Sequence, residues 1–259
     1  MLRRAFWGLG AGLVAGLAGT AALAGSITDP GLVGNTQHDE WTTNGLSSAA
    51  NPGYGGFPWT APWPGPIAST EGGDAELFRT AGSTESIGGP VPAGGSLYFG
   101  GTAAEANVFG GSLAVVDASP VGGVANVVFQ IQIGEAFGYD FFDHDLPVLS
   151  YNGGSQNLAA SYNAITDQID NGTVQTPAGP QTSFINTHLL QWDLSGISAI
   201  TDFTISFSGV QHAQIFGVRL DQSDVFTSLA PVAAVPEPTS VSLFFCGLAA
   251  VLYKTRKRR

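Results

Sequence analysis

Apolar and polar residues alternate with period two in several stretches of the second half of the chain. In ANVVFQIQIGE, residues 125–135, Phe129, Ile131 and Ile133 fall on one face and Gln130 and Gln132 on the other. THLLQWDLS (187–195) sets His188, Leu190, Trp192 and Leu194 against Thr187, Gln191 and Asp193. TDFTISFSG (201–209) sets Phe203, Ile205 and Phe207 against Thr204, Ser206 and Ser208. QIFGVRLD (214–221) puts Phe216, Val218 and Leu220 inward and Arg219 outward. Successive side chains of a strand point to opposite faces, so each stretch predicts a strand with one buried face. Weaker patterns predict strands near 75–80, 95–100, 112–117, 147–151 and 158–163. No stretch of 27–230 keeps a helical period beyond about two turns.

One-sided strands at short spacing predict a mainly β protein, an antiparallel β-sandwich of jelly-roll type with long Gly/Pro-rich loops, and not a parallel α/β sheet. The half from 105 to 228 carries the strongest strand signals; the half from 27 to 104 is richer in turn residues and is expected to lay extra strands and long loops on it. Glycine, at 36 of 259 residues, is about twice its usual share of roughly 7%, which suits strands joined by tight turns.

Both ends of the chain depart from this pattern. MLRRAFWGLGAGLVAGLAGTAALAGS opens with Arg3 and Arg4, continues as an apolar run and reaches the small-residue triplet Ala22-Leu23-Ala24. That is the form of a secretory signal over 1–24, cut after Ala24. An uncleaved anchor is disfavoured by Gly8, Gly10, Gly12, Gly16 and Gly19, and the Arg pair alone is a weak twin-arginine signal. The other end reads VPEPTSVSLFFCGLAAVLYKTRKRR. Residues 239–253 carry no charge, and as a helix fifteen residues reach roughly 22 Å against a hydrocarbon core of roughly 30 Å. The segment is expected to be a short membrane helix, with the basic residues of 254–259 held inside by the positive-inside rule. Pro236 and Pro238 hold its entry extended, since neither offers a backbone donor.

Pro236, Glu237 and Pro238, the apolar segment 239–253 and the basic end resemble, in that order, the PEP-CTERM sorting signal of Gram-negative bacteria. The resemblance covers about twenty-five residues and carries no information on the fold of the rest. It implies processing by an exosortase-type sorting enzyme, passage through the cytoplasmic membrane, and delivery to the cell surface or a biofilm matrix. The expected organisation is therefore a signal peptide (1–24), an extracellular domain (25–230), a linker carrying the motif (231–238), the apolar helix and the basic tail.

The body between these ends holds nineteen of the twenty acidic residues but only Arg79 and Arg219 of the nine basic ones, a formal charge of −17. Such a surface repels phosphate backbones and excludes nucleic acid as a partner. The single cysteine, Cys246, lies in the apolar tail, so the exported body has no disulfide.

Four places carry candidate chemistry. GYGGFPWTAPWPGP (53–66) gathers Tyr54, Phe57, Trp59 and Trp63 among four prolines, either as a platform for the apolar faces of sugars or as a plug for one end of the sandwich. FGYDFFDHDLP (137–147) sets Asp140, Asp143 and Asp145 around His144, a density of oxygens that could take calcium, although the spacing is not that of an EF-hand and solvated turn acids look the same. TDQIDNGTV, with Asp167, Asp170 and Asn171, reads as a second contributor or as an Asn-Gly hairpin turn. His188 and His212 fall on neighbouring predicted strands, where pairing could bring them near each other or near Asp193 for metal or general-base chemistry, or leave each as a satisfied core histidine. No G-x-S-x-G elbow, HExxH helix or phosphate-cradling glycine loop is present. These features together point to a non-enzymatic surface or matrix protein that binds extracellular polysaccharide. An extracellular carbohydrate-active enzyme on the same scaffold and a structural coat subunit are the alternatives.

Overall fold

The computed structural model describes residues 27–42, 45–46, 65–82, 89–93, 96–176 and 179–229. They form fourteen strands: β1 (Thr36–Trp41), β2 (Ile67–Ala68), β3 (Glu71–Gly72), β4 (Glu76–Gly82), β5 (Val91–Ala93), β6 (Ser96–Tyr98), β7 (Phe109–Asp117), β8 (Asn126–Gly134), β9 (Val148–Tyr151), β10 (Leu158–Ala159), β11 (Tyr162–Thr176), β12 (Gly179–Asp193), β13 (Phe203–Val210) and β14 (Gln214–Ser223). Sheet A runs β11-β12-β8-β14-β1-β3, with β6 on β14 and β5 on β6; sheet B runs β10-β9-β13-β7-β4-β2. Every pairing is antiparallel. The two-sheet antiparallel architecture expected from the alternation is the one the chain adopts.

The main pairings nest. β1 joins β14, β7 joins β13, β8 joins β12 and β9 joins β10. The chain is thus folded as one long hairpin whose successive pairs lie alternately in sheet A and sheet B. Pairing of β8 with β14 and of β9 with β13 closes those pairs into sheets.

The inner faces of the two sheets share one core. Sheet A contributes Trp41, Phe129, Ile131, Leu190, Trp192, Val218 and Leu220; sheet B contributes Leu77, Leu113, Val115, Leu149, Phe203, Ile205 and Phe207. Phe129 and Phe207 meet across the layer with ring centroids 5.8 Å apart. Each buried tryptophan of sheet A donates its indole N–H to a carbonyl of sheet B, Trp41 to Ile67 and Trp192 to Leu158, both at 2.9 Å. Those bonds satisfy the polar end of a large ring that would otherwise be costly to bury.

The inward sets read from β8, β12 and β13 hold, with two corrections elsewhere. In β14 a register shift between Ile215 and Gly217 turns the sequence by one residue, so Ile215 enters the core and Phe216 does not. The Asn171-Gly172 pair is an irregularity inside β11, between Asp170 and Thr173, and not a hairpin turn. Gly172 takes φ +90 there, and its N–H is accepted by the Asp170 carboxylate at 2.7 Å. The first half does lay its strands on the second: β1 and β3 extend sheet A beyond β14, β6 and β5 add to β14, and β4 and β2 extend sheet B beyond β7.

Gln130, Gln132, Thr187 and Gln191 point away from the core yet are 1% exposed. The described segments just outside the sheets, near residues 28 and 227, cover two of them. Gln130 accepts from the Thr28 N–H at 3.2 Å and donates to the Thr28 carbonyl at 2.6 Å. Gln191 donates to the Thr227 carbonyl at 2.8 Å and accepts from the Leu229 N–H at 3.1 Å. A primary amide has the same donor and acceptor as a peptide group, so each glutamine receives an extended segment much as a neighbouring strand would. Arg219 lies on the same outer face, donating two bonds to Asp221 at 2.8 and 2.7 Å and one to Glu40 at 3.1 Å.

Phe129→Ala should remove about 3–5 kcal/mol by leaving a cavity where the two sheets meet, lowering the melting temperature by roughly 10 °C or more. Thr204→Ala, on the outer face of sheet B, should stay within about 0.5 kcal/mol of wild type. Thermal unfolding followed by circular dichroism checks both.

Candidate functional site

The outer face of sheet B is open where that of sheet A is covered. Thr204, Ser206 and Ser208 on β13 stand opposite the inward Phe203, Ile205 and Phe207, and Ser112 on β7 is the cross-strand partner of Ser208. The Ser112 and Ser208 hydroxyls share a hydrogen bond at 2.7 Å. These side chains are the polar half of the same alternation that builds the core.

A groove of about 650 Å³ lies on this face. Its floor is Ser112, Ser206, Ser208, Val148 and Ala159; Asn157 and Asn163 flank one side, and the segment from Phe142 to Pro147 forms the opposite wall. Among the described residues Asp145 is the only carboxylate along it, and none that lines it is Lys or Arg.

That wall is held by several independent contacts. Asn107 and Asp143 bond reciprocally, the amide donating to the carboxylate at 2.8 Å and accepting from the Asp143 N–H at 2.9 Å. Phe142 packs edge-on against Phe109 at 5.4 Å, while Phe141 turns into the core and meets Phe207. His144 stacks on Tyr139 with centroids 4.3 Å apart and planes 21° from parallel. Asp143 and His144 both sit at positive φ, +56 and +61. Consecutive non-glycine residues in that region cost energy that the surrounding contacts must offset. The result is a fixed rim carrying an imidazole, a carboxylate and the exposed Leu146 beside a floor of hydroxyls.

The aspartates read together from the sequence separate in space. Asp140 faces the interior end of the sandwich, where its Oδ2 meets His188 Nε2 at 2.8 Å and its two oxygens accept from the Asn186 amide at 3.1 and 2.8 Å. Asp143 is engaged by Asn107, and Asp145 lines the groove. Among the described residues no group of three or more His, Cys, Asp or Glu is arranged to hold a metal ion. His188 and His212 are not brought together. β8 lies between β12 and β14, and His212, in the turn after β13, contacts the Tyr98 hydroxyl at 2.6 Å and the Ala103 carbonyl at 2.9 Å. Asp193 instead accepts from the Ser195 N–H and hydroxyl. Asp167 accepts from the Gln168 N–H within β11. Tyr54, Phe57, Trp59 and Trp63, and the motif Pro236, Glu237 and Pro238, lie outside the described residues, as do the leader and the segment 239–253. Among the described residues no helix is long and apolar enough to cross a membrane.

Three elements of this region carry no sequence signal strong enough to single them out. Asn107 lies in a glycine- and alanine-rich stretch far from the loop it holds. Ser206 and Ser208 look like any solvent-facing half of a strand. Glu135 closes β8, where burial raises its carboxyl to about 7, with the nearby Asp140 charge adding to the rise and the Phe184 N–H opposing it.

The chain matches no family model, no curated protein and no solved structure. The functional reading accordingly rests on the groove and on the sequence alone.

A carboxyl whose folded pKa is raised is penalised when ionised. The penalty is absent below its unfolded value, near 4.5, and complete above about 7. Glu135→Gln keeps an oxygen for the Phe184 N–H and removes the charge. The variant should melt about 2–4 °C above wild type at pH 8, equivalent to about 1 kcal/mol after allowance for partial exposure, and match it at pH 4. Thermal melts at the two pH values check this.

Proposed function

We propose that this chain is an exported surface or matrix protein whose β body binds an uncharged, hydroxyl-rich extracellular polysaccharide in the groove on sheet B. The observation that carries the reading is a floor of paired-strand hydroxyls beside a rigid rim, with side-chain amides across from it and no fixed cation among the described residues that line it. Sugar hydroxyls are both donors and acceptors, and Ser and Asn side chains answer both roles. The His144–Tyr139 stack and Leu146 supply an apolar edge for a ring face. A uronate polymer would meet Asp145 and a body of charge −17 with no cation in the groove to receive it.

The fold belongs with this proposal as a jelly-roll-like sandwich, supported by the nested pairings that alternate between the sheets. The tail belongs with it as a sorting signal, supported by Pro236, Glu237 and Pro238 followed by an apolar segment and a basic end. Calcium at the loop carrying Asp143 and Asp145 would be an accessory, bridging the rim to ligand oxygens. The route outward is a leader removed on export, a brief tether through 239–253, and capture by an exosortase-type enzyme.

Ser206→Trp fills the groove from its floor without touching the core. Binding of the full chain, in detergent micelles, to the neutral fraction of host exopolysaccharide should weaken at least tenfold in this variant and about threefold or more in His144→Ala. Titration calorimetry reads both. Equal binding by wild type and Ser206→Trp, or preference for the uronate fraction, would overturn the groove. Release of reducing ends by the wild type would replace binding by hydrolysis.

Replacing Pro236, Glu237 and Pro238 together by Ala should leave the protein in the cytoplasmic membrane with its tail intact, whereas wild type reaches the surface shortened. Fractionation with mass measurement of the C-terminus follows this. A wild-type surface protein that keeps its basic end would refute the sorting assignment.

A further inference from the structure

At one end of the sandwich three aspartates from different parts of the chain meet, the charges of Asp117 and Asp74 bearing on Asp39 and that of Asp74 on Asp117. Asp39 of β1 faces inward beside Leu220, and Asp117 ends β7 in the opposite sheet; both are 0% exposed. Asp74 lies in the turn between β3 and β4, at the mouth. The Ser119 hydroxyl and the Gln37 amide bond to Asp74, the Ser119 N–H and the Gln222 amide to Asp117, and the Ala75 N–H to Asp39 Oδ1. Those donors are all neutral. Each of the two buried carboxyls is raised first by desolvation, and no cation appears among the causes that act on either.

The other oxygen of Asp39 has no hydrogen-bond partner. It is the one such buried side-chain atom among the described residues. The Ser69 hydroxyl is near enough to ease the carboxyl slightly but gives its proton to main-chain carbonyls, that of Glu71 at 2.5 Å and that of Glu40 at 3.4 Å. A buried carboxylate oxygen with neither donor nor acceptor costs its full desolvation. The atom faces the turn: a methyl group built on Gly73 would lie 2.8 Å from it and 2.4 Å from the Gln37 amide nitrogen.

We propose that this end of the sandwich binds a hard divalent cation of the calcium class, with Asp39 and Asp117 as its buried carboxylates, Asp74 at the mouth, and neighbouring amide, hydroxyl and main-chain oxygens completing the shell. Calcium takes six to eight oxygens in flexible geometry, including carbonyls and amides, so two or three carboxylates suffice. As they stand no three of these acids are placed to hold an ion. Binding must therefore draw the 73–75 turn and the exposed Asp74 inward, toward the side of Asp39 where Gly73 puts no side chain in the way. The ion would pin β1 of sheet A to β7 of sheet B in a body that has no disulfide. This site is separate from Asp140, Asp143 and Asp145 and does not depend on the groove reading.

The test is thermal unfolding of the full chain in detergent micelles at pH 7.5, with millimolar calcium, magnesium or EDTA, paired with calcium titration calorimetry. Calcium should raise the melting temperature by several degrees and magnesium by less. Asp39→Asn and Asp117→Asn should each weaken calcium at least tenfold. Asp74→Asn, at the mouth where folding is least at risk, should weaken it several-fold. An unresponsive wild type overturns the proposal. So does a calcium response that survives Asp39→Asn, Asp117→Asn and Asp74→Asn but disappears when Asp143 and Asp145 are both changed to Asn, which would give the ion to the groove loop.

Discussion

One apolar layer between two sheets carries this body, and it does so with no covalent help. The only cysteine lies in the C-terminal tail, so cohesion falls to the ring contact of Phe129 with Phe207 and the aliphatic side chains packed around it. Each sheet can give the layer only one face, because side chains alternate. What the protein does with its two remaining faces then separates structure from function. Sheet A spends its outer face on its own chain, with Gln130 and Gln191 receiving the residues near 28 and 227. Sheet B leaves its outer face to hydroxyls and a groove.

Charge imposes the second constraint. With nineteen acids and two arginines in the body, most carboxylates cannot find a cation, and Arg219 is already engaged by Asp221 and Glu40. Acids at the surface stay solvated at little cost. Inside, the same shortage is expensive, and the structure meets it in three ways. Asp140 takes an imidazole and an amide, Glu135 takes one peptide N–H and a raised pKa, and Asp39 is left with an oxygen that nothing answers. Only the last has no local remedy. That is why it points to something outside the chain.

The fold was largely legible because its signal is local. Phe203, Ile205 and Phe207 announce their own face whatever they pair with, and so do Phe129, Ile131 and Ile133. Failures occur where one extra residue changes the phase. The irregularity at Phe216 reversed the inward set of β14 at its start, and the one at Asn171 turned an apparent hairpin into a strand, because Asn-Gly suits both. The site was much less legible. Asp140, Asp143 and Asp145 are neighbours in sequence, but the turn between them aims them at His188, Asn107 and the groove in succession. Asp39, Asp74 and Asp117 are far apart in sequence and meet only because β1 and β7 close the same end of the sandwich. Proximity along the chain overstated one cluster and concealed the other.

Nested pairing also ties the ends of the chain to its function. In a long folded hairpin the outermost pair holds both ends, here β1 with β14 in sheet A. Among the described residues, those near 28 and 229 on either side of that pair rest on the buried outer face of sheet A. The groove lies beyond the core on the other sheet, a position that the topology assigns independently of any residue within it.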